Sequence, residues 1–338
     1  APGNLRKTFF SNSGAEAIEC ALKIGRKFTK KHEIVSLMCS FHGRTLGTLS
    51  VTGQAGRRRY SMGPYLSDVA FAPAPYCYRC SLGQQYPECD LQCAEMISDV
   101  IDFSTSGDVA EFIAEPILGE GGIIVPPKEY FSVVKKILDQ RSILFIVDEV
   151  QTGFGRTGAM FGIEHYGVAP DIMCLAKGIA GGLPLGACMT RDDIGDAFEP
   201  GDHLSTFGGN PVSCAAAIAN IQYMIDEKIP EQAASKGEYL SKRLNELKER
   251  HDLIGDVRGE GLMFGVELVR SQKDKSPATE ETGKIRGLCR EMGVLIGHGG
   301  VKGSVLRLQP PLIISREELD KVVDTLSECF KKVEAEST

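Results

Sequence analysis

The sequence predicts an α/β protein: a mainly parallel sheet covered by helices, followed by a smaller α+β domain. Three observations carry that expectation. Over the first two thirds, short apolar runs alternate with amphipathic stretches. Strands that alternate with helices imply a mainly parallel sheet covered on both faces. Beyond about residue 228 the pattern changes to paired short strands and long, charged helical runs. The chain's 338 residues, 42% apolar and 25% charged, suffice for two or three ordinary globular domains. The expected boundaries are 1–228 for the large domain and 229–338 for the small one.

The expected strands of the large domain are Thr8–Phe10, Ile34–Cys39, Glu111–Glu115, Ile143–Val147, Asp171–Leu175 and Leu185–Thr190. Between the first two, Ala17, Ala21, Ile24 and Phe28 recur on one helical face. Tyr130–Arg141 has the same period. Pro211 follows a glycine-rich turn and opens an alanine-rich helix over Val212–Asp226, and a second helix is expected over Glu231–Arg250. The small domain should then hold paired strands within Gly255–Val269 and a helix at Glu280–Met292. Short strands at Val294–Gly297 and Val305–Leu308 and a last helix at Ser315–Val333 complete it.

Composition narrows the function classes. A net charge of −7 argues against a general nucleic-acid or membrane surface, so any anion must be held by local groups. The 11 cysteines are scattered and odd in number, unlike a disulfide framework, and a reducing, cytoplasmic setting is expected. No apolar run reaches the ~20 residues that span a bilayer. No signal peptide opens the sequence. Ala1-Pro2-Gly3-Asn4 leads quickly into a strand, which reads as the middle of a domain, so a preceding N-terminal segment is expected.

Several short motifs can carry chemistry. Ser11-Asn12-Ser13-Gly14-Ala15-Glu16-Ala17 joins a strand to a helix, with Ser13 as N-cap and small residues beside it. Helix-start amides and the helix dipole suit a phosphate, though many α/β turns merely cap. Asp148 and Glu149 follow an apolar strand, at the edge where open α/β sheets bind ligands. A buried acid there needs a partner: a protonated pyridine, Arg156 or a metal. Lys177 lies among apolar and glycine residues just past another strand. An amine in a dry pocket becomes nucleophilic, whereas an ordinary lysine snorkels to the surface. An acid for a ring nitrogen and a lysine for an aldehyde together point to pyridoxal phosphate (PLP).

Further candidates are Phe41-His42-Gly43-Arg44, Thr206-Phe207-Gly208-Gly209-Asn210-Pro211, and Arg307 between Leu306 and Leu308. Phe41 could stack on a ring or pack in the core. Arg44 could hold a carboxylate or face solvent. The Thr206 turn suits an anion, and Arg307 should alternate to the face opposite its leucines.

In this order, the motifs resemble the class III (ω-amino acid) aminotransferases, which are PLP enzymes similar to 4-aminobutyrate, acetylornithine and ornithine aminotransferases. The set comprises Ser13–Ala17, Phe41–Thr45, Glu115-Pro116, Asp148–Gly158, Lys177-Gly178 and Thr206–Pro211. The resemblance implies the aspartate aminotransferase-like fold of PLP-dependent transferases. It makes Lys177 the Schiff-base lysine and Asp148 the partner of the pyridine nitrogen. Ser13, Gly14 and Ala15 would bind the phosphate, and Thr206 would reach the phosphate of a neighbouring subunit. Phe41 and Val150 would flank the ring, Gln151 would meet the phenolic oxygen, and His42 falls within the cofactor-binding set. Arg44 would bind a remote carboxylate and Arg307 the α-carboxylate of a 2-oxo acid. Glu115 would pair with Arg307 when a distal amine is bound.

The expected partners are therefore amino acid and 2-oxo acid substrates, in a homodimer or tetramer with shared sites. An amino acid racemase or aminomutase on the same scaffold is the alternative, and a non-catalytic PLP-binding protein is disfavoured because the lysine and acid are present. Cys77-x-x-Cys80 and Cys89-x-x-x-Cys93 depart from the common pattern. Their spacing suits zinc, yet transamination needs no metal, so a reduced loop without one is expected.

Overall fold

The computed structural model describes residues 1–336, the side chains of Ala55 and Arg57 excepted. They form two compact units. The first comprises Ala1–Gly119, Pro126–Phe154 and Phe161–Glu227. The second comprises Glu120–Val125, Gly155–Met160 and the chain from Lys228 onward.

In chain order the first unit holds β1 (Lys7–Ser11), α1 (Gly14–Thr29), β2 (Glu33–Leu37), α2 (Leu46–Ser50) and β3 (Val69–Ala72). These are followed by α3 (Gln92–Ser104), β4 (Val109–Ala114), α4 (Tyr130–Arg141) and β5 (Leu144–Asp148). Then come β6 (Ile172–Leu175), β7 (Gly186–Thr190), α5 (Asp192–Gly195) and α6 (Pro211–Asp226). Seven strands form one sheet in the order β1-β7-β6-β5-β4-β2-β3. The pairs β2–β3, β2–β4, β4–β5 and β5–β6 are parallel, and only β7 runs against its neighbours. The central strands β2, β4, β5 and β6 are buried along their whole length. That is why they read as mainly apolar runs, broken by the buried Glu33, Ser36 and Glu111, and not as alternating ones.

The helix expected from Ala17, Ala21 and Ile24 is α1. It buries those residues against Ile113, Ile146 and Cys174 of the sheet, and Phe28 packs at the edge of the same cluster. Ser13 caps its first turn by accepting from the Glu16 amide. Four elements are absent from the expected set: α2, β3, α3 and α5. The buried face of α3 is Ala94, Ile97 and Ile101, a short stripe that begins inside the cysteine-rich loop.

The second unit contains α7 (Ile229–Lys248), β8 (Ile254–Glu260), β9 (Met263–Leu268) and α8 (Thr279–Glu291). It ends with β10 (Gly297–Gly299), β11 (Val305–Leu308) and α9 (Arg316–Glu336). Its sheet is antiparallel, in the order β10-β11-β9-β8. Val294 and Ile296 were expected in a strand. They lie instead in the core ahead of it, and ladder pairing starts only at Gly297. Burial without a pairing partner gave them a strand-like pattern. Among the described residues no helix is long and apolar enough to cross a membrane.

Gly237 of α7 lies against the backbone of Gly261, where an added Cβ would come to 2.1 Å from a carbonyl oxygen. Backbone cannot rotate aside as a side chain can. Gly237→Ala is therefore expected to lower stability by about 1–3 kcal/mol, outweighing the roughly 1 kcal/mol by which alanine favours a helix. A urea melt checks this, and an unchanged or higher midpoint would contradict it.

Candidate active site

Strands β2, β4, β5 and β6 run in one direction, so the residues following them gather at a single edge of the sheet. A cavity of about 490 Å³ opens there. The start of α1 contributes Ser13, Gly14 and Ala15. The segment after β2 contributes Phe41, His42 and Arg44, the end of β4 gives Glu115, the end of β5 gives Asp148, Val150 and Gln151, and the turn after β6 gives Lys177. The structure thus brings to this cavity every residue that the resemblance assigned to the site except Thr206 and Arg307.

Asp148, in this wall, is buried, 4% exposed. Its Oδ2 lies 2.8 Å from His42 Nδ1, and its Oδ1 accepts from the Val150 amide at 3.0 Å. A carboxylate can only accept, so Nδ1 carries the hydrogen. His42 is fixed further by its own amide, which donates to Thr52 Oγ1, while its buried Nε2 has no hydrogen-bond partner among the described residues. Arg156, one of the partners considered for this acid, is spent elsewhere. Its Nη1 donates to the carbonyls of Leu262 and Pro310 within the second unit, and burial lowers its pKa to about 10.

Glu149 points away from the cavity. Its carboxylate accepts from the Thr152 hydroxyl and from the amides of Gly162 (2.9 Å) and Ile163 (2.8 Å). Burial is the main cause that raises its pKa to about 7. The adjacent acids therefore divide: Asp148 faces the cavity and Glu149 ties down the following turn.

Lys177 has a backbone φ of +47°, in the left-handed region where a non-glycine residue is strained. The strain turns the chain sharply at the end of β6 beside the cavity. The side chain is exposed, so one chain alone does not provide the dry pocket expected around its amine.

Gly14 has no room for a side chain, because a Cβ there would come within 2.9 Å of both Val150 methyl groups. This contact seats the first turn of α1 beside the Asp148 strand. At the mouth, the guanidinium of Arg44 lies 5.2 Å from the Phe41 ring and that of Arg58 lies 5.5 Å from it. Arg58 escaped the sequence reading, since an Arg57-Arg58-Arg59 run looks like a solvated surface.

The remaining two candidates lie elsewhere. Thr206 is exposed and borders a separate hollow with Phe9, Glu16, Glu19 and His203. Arg307 lies on β11 in the second unit, and its guanidinium pairs with Glu120. The sequence expectation pairs Arg307 with Glu115 when a distal amine is bound; here Arg307 meets Glu120 instead. Both Glu115 oxygens accept backbone amides, from Phe41 and from Gly119, each at 2.9 Å. The available signal was Glu120 itself, five residues on, in a glycine-rich turn.

Cys77, Cys80, Cys89 and Cys93 border one void of about 20 Å³. Among the described residues, no three His, Cys, Asp or Glu side chains are gathered to hold a metal ion.

Comparison with known proteins decides the family. The model for "Aminotransferase class-III" matches residues 1–330. The chain belongs to the class III aminotransferases. It is 44% identical to an acetylornithine aminotransferase of Methanothermobacter thermautotrophicus, over 95% of this chain and 73% of that protein. It is 43% identical to a leucine/methionine racemase of Thermococcus litoralis, over 97% of this chain and 74% of that one. Among solved structures, a PLP-bound amine transaminase from an uncultivated Pseudomonas species superposes with a TM-score of 0.92. It is 34% identical, over 98% of this chain and 78% of that one. As a class III aminotransferase the protein is a PLP-dependent transaminase. The cavity fits that cofactor: it offers an acid for a ring nitrogen, a helix start for a phosphate and a lysine for an aldehyde.

The raised pKa of Glu149 has a checkable sign. Its folded value, about 7, exceeds the 4.5 of the unfolded chain. The stability it contributes is present in full below pH 4.5 and is lost as pH rises through 7. The stability advantage of wild type over Glu149→Gln should therefore shrink between pH 5 and pH 8. Denaturation midpoints of both proteins across that range check it, and a widening gap would contradict it.

Proposed function

We propose that the protein transfers an amino group from an ω-amino acid to pyruvate or 2-oxoglutarate. The donor would be 4-aminobutyrate, β-alanine or an acetylornithine-like compound. The transfer would follow a ping-pong cycle in which one site serves both substrates. The observation that carries this reading is that Asp148, Lys177 and the start of α1 line one cavity.

Bound PLP supplies an electron sink for the carbanion formed at the amine-bearing carbon. Asp148, oriented by His42, would keep the ring nitrogen protonated. Ser13, Gly14 and Ala15 would take the phosphate on the helix start. Phe41, Val150 and Gln151 would hold the ring, and Lys177 would hold the cofactor by its aldehyde. The Lys177 Nζ would also move the proton at the amine-bearing carbon of the substrate.

Arg44 and Arg58 beside Phe41 favour a substrate with a second, distal carboxylate. Arg307 is assigned to the α-carboxylate of the 2-oxo acid. Its partner Glu120 occupies the guanidinium until that carboxylate replaces it. A homodimer is supported by exposed apolar residues: Leu204 and Phe207 beside Thr206, and Val212 and Ile218 on α6, each about 70–80% exposed. In that dimer Thr206 reaches the partner's phosphate and the surroundings of Lys177 become dry.

A racemase is the second reading, favoured by the 43% identity to the leucine/methionine racemase. The two differ in stoichiometry. A transaminase turns a 2-oxo acid into its amino acid, whereas a racemase inverts an amino acid with no second substrate. The protein with PLP should form glutamate from 2-oxoglutarate, or alanine from pyruvate, with at least one of the named donors. Loss of optical activity in leucine or methionine without keto acid turnover would instead establish the racemase. Lys177→Ala should lower the rate by at least about 10²–10⁴-fold, measured as product formed per minute. A variant within tenfold of wild type would overturn the role given to Lys177.

A further inference from the structure

Both oxygens of Glu115 accept backbone amides, and that geometry points to further work. Glu115 follows β4 and is 3% exposed. Oε1 accepts from the Phe41 amide and Oε2 from the Gly119 amide, both at 2.9 Å. One carboxylate thus ties the segment after β2 to the turn after β4. Each tie ends at the cavity. Phe41 borders it directly and precedes His42, which backs Asp148. Gly119 lies so close to Gln151 that an added Cβ would come within 2.6–2.8 Å of its amide group. The turn at Gly119 therefore fixes where Gln151 can lie.

We propose that Glu115 is a positioning residue whose ionised carboxylate, bridging the amides of Phe41 and Gly119, sets Phe41, and through Gly119 Gln151, for the cofactor. The inference rests on the PLP reading of this cavity.

Two amide donors need two acceptor oxygens. The ionised carboxylate offers both, whereas a protonated acid turns one into a hydroxyl that faces a donor. Burial raises the Glu115 pKa to about 7, the His42 side chain opposes that rise and Asp148 adds to it. The other titratable neighbours are Cys39, whose thiol is pushed up to about 11 by burial and by Glu115, and Lys177 on the same cavity. The bridge is therefore complete above about pH 7 and weakened below it. The same burial makes the ionised acid a cost to the folded protein. With a folded pKa above the 4.5 of the unfolded chain, the stability from Glu115 is lost as pH rises through 7.

A structural residue and a positioning residue then behave differently on substitution. Glu115→Gln keeps shape and one acceptor, removes the buried charge and sets an amide NH₂ against one backbone donor. At pH 8 the apo protein should melt at the wild-type temperature or above it. PLP affinity, read by titrating apo protein and following the visible absorption of bound cofactor, should fall about tenfold, the size of one lost charge-assisted hydrogen bond. The gap in affinity should close on going from pH 8 to pH 6, where wild type itself loses the second acceptor.

Glu115→Asp keeps the charge but is too short to span both amides. It should lower PLP affinity at pH 8 as well, and it carries the test if the glutamine variant does not fold. PLP affinity equal to wild type would overturn the proposal, as would a loss in affinity matched by a lower apo melting temperature. A wild-type protein that binds no PLP would instead overturn the cofactor reading, which separates the two failures.

Discussion

The site depends on a carboxylate at the end of a buried strand. Asp148 closes β5, the middle strand of the seven-stranded sheet, and its neighbours on both sides are buried along their length. Burying an acid there costs free energy unless it is partnered. The Val150 amide and His42 Nδ1 supply partners from the protein, and a cationic ring nitrogen would complete them. The rest of the cavity is arranged around that point. His42 is held by Thr52, the start of α1 packs on Val150, and the turn after β6 brings Lys177 to the same edge. Parallel strands make this economical, because each one delivers its C-terminal residue to a common rim.

Neighbouring acids show how environment divides their roles. Asp148, Glu149 and Glu115 all lie at strand ends and are nearly or fully buried. Glu149 is engaged by the Thr152 hydroxyl and by the amides of Gly162 and Ile163, and Glu115 by two backbone amides, so each ties separate segments together. Asp148 alone keeps an oxygen directed to a side chain that itself borders the cavity. Residue type and burial are the same in kind across the three, and the direction of the donors separates them.

Much of this was legible in the sequence, for identifiable reasons. The mainly apolar runs of β2, β4, β5 and β6 and the period of α1 are direct consequences of burial, so the fold class could be read off. Ser13, Asp148 and Lys177 each sit at a strand or helix terminus that local pattern marks. Glu120 was not legible, because which of two acids five residues apart meets Arg307 depends on how the Gly119 turn divides the chain. Arg58 was hidden in a basic run that looks like surface. The exposure of Lys177 reflects packing that no local pattern encodes. The strand assigned to Val294 and Ile296 failed because burial in a core imitates a ladder.

The central claim is that Asp148 keeps the pyridine nitrogen of PLP protonated. The most direct measurement is the ¹⁵N chemical shift of ring-labelled cofactor bound to wild type and to Asp148→Asn. Wild type should show a protonated nitrogen and the asparagine variant an unprotonated one. The same shift in both proteins would contradict it.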